Sequence, residues 1–120
     1  MSDCIFCRII AGEIPSPRLY EDEKMIVIRD INPQAPMHLL LIPKEHYPNI
    51  AEMTAKQATT LARCLRTFAK LADGFGLSGG FRIISNKGAD ACQTVNHLHI
   101  HILGGEKLSE NMNCSPDLPI

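Results

Sequence analysis

His97, His99 and His101 recur at every second position, alternating with Leu98, Ile100 and Ile102. In an extended chain that period sends alternate side chains to opposite faces, so the three imidazoles share one face at about 7 Å spacing while the aliphatic side chains take the other. The ordinary pKa of imidazole lies close to neutrality, so such a row can attack an electrophile, move protons or bind a metal. Ordinary histidines on a half-exposed sheet face are the plain alternative. That alternative suits a solitary histidine such as His46 better than three in register. A metal site is the stronger rival, because strand histidines at i and i+2 can share one zinc.

The loop just before this run, residues 86–95, is built from small residues and neutral donors. A loop of that kind can wrap an anion: Gln93, Thr94 and exposed backbone N–H groups are placed to bond phosphate oxygens, and Asn86 to hold a histidine or a leaving group. Read alone it is an ordinary polar connection; beside three histidines it points to phosphorus chemistry. A neutral imidazole is a competent nucleophile near pH 7, and covalent attack divides one slow displacement into two easier steps. Cys4 and Cys7 form a C-x-x-C pair, which is half of a zinc site, a redox pair or two core cysteines. The redox reading is weak, because a thioredoxin-type pair follows a strand in a βαβ unit and this one lies in the opening segment.

Something must hold these groups in place. Ile5 and Ile9 at helical spacing, with Gly12 as a stop, predict a short helix over residues 4–10. Residues 18–21, 25–29 and 38–42 are short β-rich or apolar runs separated by turn residues, and the prolines at 15–17 and 33–36 read as turns. Thr54 with Gln57 three positions on has the capping-box pattern that starts a helix. Ala58, Leu61, Ala62, Leu65, Phe68, Ala69 and Ala72 then make one apolar face, with Gly74 as the expected end and Cys64 packing on the same pattern. Residues 81–85 and 95–103 read as two further strands. Strands, one long helix and strands again predict an α+β fold with the helix lying on a sheet.

With 120 residues the chain suits a single domain over 1–120, its core at about 4–108 and a tail at about 109–120. A composition of 45% hydrophobic and 21% charged residues predicts a folded core. The net charge of -1, from 12 basic and 13 acidic residues mixed along the chain, supplies no block for nucleic acid or an anionic membrane surface. No apolar run approaches the roughly 20 residues of a bilayer span, and Met1, Ser2 and Asp3 lack a basic signal-peptide start. A cytoplasmic location is expected. The 5 cysteines are odd in number, which rules out a full disulfide framework and favours reduced thiols. Cys92 and Cys114 take no assignment.

The chain resembles the histidine triad (HIT) family, whose signature is H-x-H-x-H followed by two apolar residues, matched here by residues 97–103. The likeness extends over residues 5–15, over 29–38 with Asp30, Pro33 and His38, and over 42–46, and Gly104 with Gly105 points to the Hint branch. This resemblance implies a HIT-like fold: an antiparallel sheet of about five strands per subunit, one long helix and a short N-terminal helix. It also implies a nucleoside phosphoramidate hydrolase acting on purine nucleotides (AMP- or GMP-like). His99 would be the nucleophile that becomes nucleotidylated, with no cofactor needed for catalysis. By the same likeness His101 and His38 contact the phosphate or the nucleophile, and Asn86 and Thr94 position the phosphoryl and leaving groups. Asp30 accepts hydrogen bonds from the ribose. Ile5, Phe6, Ile9, Ile28, Ile31 and Leu40 match the base pocket, joined on the substrate side by Gln93 and Val95.

Some relatives, the galactose-1-phosphate uridylyltransferases among them, hold a structural zinc on two cysteines and two histidines. The resemblance makes Cys4, Cys7, His46 and His97 the candidates here. It also implies a homodimer whose sheet continues across subunits. The segment from residue 109 departs from the aromatic-containing C-terminal segment of many Hint proteins, which shapes preference for the leaving group. Two rival readings stay open: a dinucleoside polyphosphate hydrolase, which Gln93, Thr94 and Val95 also resemble, and a zinc-stabilised nucleotide-binding or scaffold protein.

Overall fold

In the computed structural model, which describes residues 3–111, a short helix α1 (Ile5–Ile10) leads into strands β1 (Tyr20–Glu21), β2 (Met25–Arg29) and β3 (Met37–Pro43). The long helix α2 (Ala55–Leu71), a 3₁₀ turn (Ala72–Phe75), β4 (Phe81–Ile84), a second 3₁₀ turn (Ala89–Ala91) and β5 (Ile100–Gly104) follow. All strand pairs are antiparallel, in the order β1-β2-β3-β5-β4. Cys114 and most of the 109–120 tail lie outside the described residues. Among the described residues, no helix is long and apolar enough to cross a membrane.

Both faces of the central strands β2, β3 and β5 are buried, for a reason legible in the side-chain period. In β2, Met25 and Val27 face α2 while Ile26 and Ile28 face α1; in β3, Leu39 and Leu41 face α2 while Leu40 and Ile42 face α1. Leu98, Ile100 and Ile102 join the α2 side, with Phe68 at the centre of that layer. Phe68 stacks on Phe75 at 5.7 Å and meets Phe81 edge-on at 5.5 Å. The opposite side carries the histidines, for which a half-exposed face was the plain alternative. Instead α1 lays Phe6 and Ile9 over it, so that His97 is fully buried and His101 is 9% exposed.

Three element boundaries differ from the sequence reading by more than one residue. The last strand begins at Ile100, not at residue 95: Leu98 N–H bonds the Tyr47 carbonyl at 2.7 Å, and Pro43 bonds the His97 ring through its carbonyl. The alternation of side chains nevertheless runs back through Leu98. The first strand shrinks to Tyr20–Glu21, although Leu19 N–H still donates to the Val27 carbonyl at 2.8 Å, and ahead of it the Arg18 guanidinium donates to the carbonyls of Ile9 and Ile10 at the end of α1 and to Glu21. The long helix stops at Leu71, and Gly74 lies within the 3₁₀ turn that follows. Gly76, at φ +76°, makes the left-handed reversal that a side chain disfavours.

The start of α2 agrees with its capping pattern: Thr54 Oγ1 accepts from Gln57 N–H at 3.1 Å and Gln57 Oε1 accepts from Thr54 N–H at 2.8 Å. Thr54→Ala is expected to lower unfolding free energy by about 1 kcal/mol, with Thr54→Ser close to wild type. Denaturant titration of the three proteins tests this, and an unchanged midpoint in the alanine variant would assign α2 to packing alone.

Candidate functional site

Between α1, the ends of β2 and β3 and the 86–95 loop lies a cleft of about 500 Å³. Ile5, Phe6 and Ile9 of α1, Ile28 of β2 and Leu40 of β3, the residues that the resemblance matched to a base pocket, line it. So do Asp30 after β2, then Asn86, Gln93, Thr94 and Val95, and finally His99 and His101. Ile31 also borders the cleft but is fully exposed, so it forms rim and not wall. Sequence reasoning missed Ile14, Pro15, Ser16, Arg29 and Cys92. The first three lie in the stretch after α1 that read only as a turn, and Cys92 occupies the left-handed region at φ +60° in a loop with no helical or strand period.

Hydrogen bonding fixes the histidine protons. His99 Nδ1 lies 2.8 Å from the His97 carbonyl, which can only accept, so Nδ1 carries the proton and the neutral ring keeps its lone pair on Nε2. The Phe6 ring meets His99 edge-to-face at 4.9 Å and limits its rotation. His38 was expected to touch phosphate or nucleophile; it is instead 3% exposed, absent from the cleft lining and packed behind His101. Its Nδ1 accepts from the Gln34 backbone N–H at 3.0 Å, so its proton sits on Nε2, 2.9 Å from His101 Nδ1. His101 Nδ1 must therefore accept, which places the His101 proton on Nε2. Burial, helped by neighbouring His99 and His38 and opposed by Asp30, holds the His101 pKa down at about 4; burial likewise lowers His38, again against Asp30. Both rings are thus neutral donors near pH 7.

The loop differs from expectation in one member. Gln93 was read as a phosphate donor, but its Nε2 donates to the carbonyls of Pro48 (2.7 Å) and Val95 (3.1 Å) and its Oε1 accepts from Gly88 N–H at 3.0 Å. Its side chain braces the loop. Among the described residues, none hydrogen-bonds the side chains of Asn86 or Thr94, so both polar groups are available to the cleft that they line.

Among the described residues, two clusters have metal-ligating composition: Cys4, Cys7, His46 and His97, and Asp30, His38 and His101. Their chemistry differs. His97 donates Nε2–H to the Pro43 carbonyl at 2.7 Å, which leaves Nδ1 as a lone pair toward Cys4 Sγ (3.5 Å), Cys7 Sγ (3.5 Å) and His46 Nδ1 (3.1 Å), with Cys7 Sγ to His46 Nδ1 at 3.3 Å. A tetrahedral zinc with bonds near 2.0–2.3 Å needs donors roughly 3.3–3.8 Å apart. Three of these four separations fall in that range, His46 Nδ1 to His97 Nδ1 is slightly shorter, and all the ligand atoms lie within 4.8 Å of one another. In the second cluster the Gln34 amide obliges His38 to keep a proton on Nε2, the very atom that would face a metal, so that group is a hydrogen-bond network.

Comparison with known proteins agrees with these features. The model of the HIT domain matches residues 11–108. A HIT family hydrolase from Clostridium thermocellum superposes with a TM-score of 0.88 at 44% identity, covering 94% of this chain and 99% of that one. A 14 kDa zinc-binding protein of Brassica juncea is 42% identical over 89% of this chain and 96% of its own length. Adenylylsulfatase HINT1 of Arabidopsis thaliana is 41% identical over 90% of this chain and 75% of its own length.

Proposed function

This chain belongs to the HIT domain family, and from that premise we propose that it hydrolyses purine nucleoside phosphoramidates through a nucleotidyl group carried on His99. The observation that carries this reading is the His99 Nδ1 contact to the His97 carbonyl at 2.8 Å, which leaves an uncommitted Nε2 lone pair on a residue lining the cleft. The adenylylsulfatase relative supports an adenylyl group as the portion transferred.

In the first step His99 Nε2 attacks phosphorus, the phosphorus–nitrogen bond breaks, and the amine leaves with the bonding electrons and takes up a proton. In the second, water attacks phosphorus, the bond to His99 breaks, and the nucleoside monophosphate departs. Charge gathering on the phosphoryl oxygens is met by His101 Nε2–H, the Thr94 hydroxyl and loop amides, donors fixed before the reaction begins. Ile5, Phe6, Ile9, Ile28 and Leu40 enclose the base by apolar contact, with Ile31 at the rim, and Asp30 accepts from the ribose hydroxyls. Asn86 steadies the leaving group, and His38 acts from behind by orienting His101.

Cys4, Cys7, His46 and His97 hold a structural zinc, a reading supported by their donor separations and by the zinc-binding relative. The metal ties α1 to the sheet and takes no part in the displacement. The protein works in the cytoplasm as a homodimer joined through β4, an edge strand on which Phe81 and Ile83 remain 39% and 48% exposed.

Parallel steady-state assays on a fluorogenic adenosine phosphoramidate and a dinucleoside polyphosphate test the substrate class. The expected result is a higher kcat/KM for the phosphoramidate. The reverse order would favour the polyphosphate hydrolase, and nucleotide binding without turnover of either would favour a binding module.

A further inference from the structure

The acidic residue beside the histidines does more than face a ribose. Gln34 N–H fixes the proton of His38 on Nε2, and that N–H points at His101 Nδ1 from 2.9 Å. If His101 took a second proton on Nδ1, two N–H groups would face each other with nothing to accept them. Asp30 Oδ2 lies 3.4 Å from His38 Nε2 and 3.8 Å from His101 Nδ1, and is therefore a carboxylate oxygen in ion-pair range of both rings. The other carboxylate oxygen is pinned by Asn32 N–H at 2.8 Å, which fixes the direction of the group. The three side chains are only 1%, 11% and 16% exposed for His38, His101 and Asp30, so screening by solvent is weak.

Resting on the hydrolase reading above, we propose that Asp30 is a positioning residue: it accepts His38 Nε2–H and, once an anionic phosphoryl group is bound, pairs with a second proton on His101 Nδ1, so that a ring neutral in the free protein carries positive charge toward the substrate. The proton comes from solvent, and no bond to substrate is made or broken by Asp30 in doing so. With the ring neutral, His101 Nδ1 accepts from His38; with the ring charged, both N–H groups turn to the carboxylate. Groups facing His101 are His99 and His38, which disfavour its charge, and Asp30, which favours it. The same carboxylate that accepts from ribose thus acts on the phosphate end of the cleft.

Asp30→Asn keeps an oxygen for Asn32 N–H and removes the charge, so it separates the two roles when combined with a substrate lacking ribose hydroxyls. Wild type, Asp30→Asn and Asp30→Glu would be assayed on adenosine and 2′,3′-dideoxyadenosine phosphoramidates. A charge-assisted hydrogen bond corresponds to roughly ten- to hundredfold in rate. Asp30→Asn is expected to lower kcat by that factor on both substrates, to move the His101-dependent limb of the pH profile to lower pH, and to leave Asp30→Glu closer to wild type. Ring-nitrogen NMR of the ligand-free protein should place His101 protonation at lower pH in Asp30→Asn, whatever the activity. A defect confined to KM on the ribose substrate, or an unmoved His101 titration, would overturn this role and leave the hydrolase intact. Failure of wild type on both substrates would remove the hydrolase reading and this inference with it.

Discussion

His99→Ala is expected to lose turnover of an adenosine phosphoramidate by about 10⁴-fold or more, the size of effect seen when a covalent nucleophile is removed. The size follows from what the ring does. Substituting Ala removes the lone pair that the His97 carbonyl holds ready on Nε2 and leaves the donors His101, Thr94 and the loop amides in place. Residual rate, and nucleotide affinity within a few-fold of wild type, should therefore persist. Rapid quenching of wild type followed by intact-mass analysis should reveal a chain heavier by one nucleotidyl group, and the variant should give none. Retained turnover in His99→Ala would reassign the nucleophile to water or another side chain. An adduct that survives in the variant would do the same.

The parts of this site carried by side-chain period were legible before any coordinates. The alternation of His97, His99 and His101 with aliphatic residues does sort the two faces, and the Thr54 box does begin α2. The C-x-x-C pair and two distant histidines do converge within 4.8 Å. What stayed hidden depends on backbone atoms that no residue type announces. The Gln34 amide, the His97 carbonyl and the Pro43 carbonyl set the tautomers of His38, His99 and His97, and through His38 that of His101, and only the chain path decides where they lie. Gln93 looked like a ligand because an amide side chain suits phosphate equally well as a loop brace, and the choice went to Pro48, 45 positions away in sequence. The resemblance gave His38 a contact to the phosphate or the nucleophile, and residue type alone does not distinguish a ring lining the cleft from one packed behind it.

Removal of metal should reach the same histidines from the other side. Cys4 and Cys7 belong to α1 and the turn before it, His46 follows β3, and His97 precedes β5, so a zinc bound among them joins three segments far apart in the chain. Ligand that binds only the folded form adds roughly 4 kcal/mol at a thousandfold excess over its dissociation constant. For a chain of this size that is on the order of 15 °C in Tm. The expected result is one zinc per chain by native mass spectrometry, a fall in Tm of that order on chelation, and loss of both metal and shift in Cys4→Ser/Cys7→Ser. Activity should follow for a structural reason: the carbonyl that orients His99 belongs to His97, and the ring that packs on His99 belongs to Phe6, between the two cysteines. Without zinc both supports loosen, so kcat should fall more than nucleotide affinity. A preparation free of zinc whose Tm ignores both chelator and added metal would make the four residues a packing cluster, and would leave His99 held by its own hydrogen bond alone.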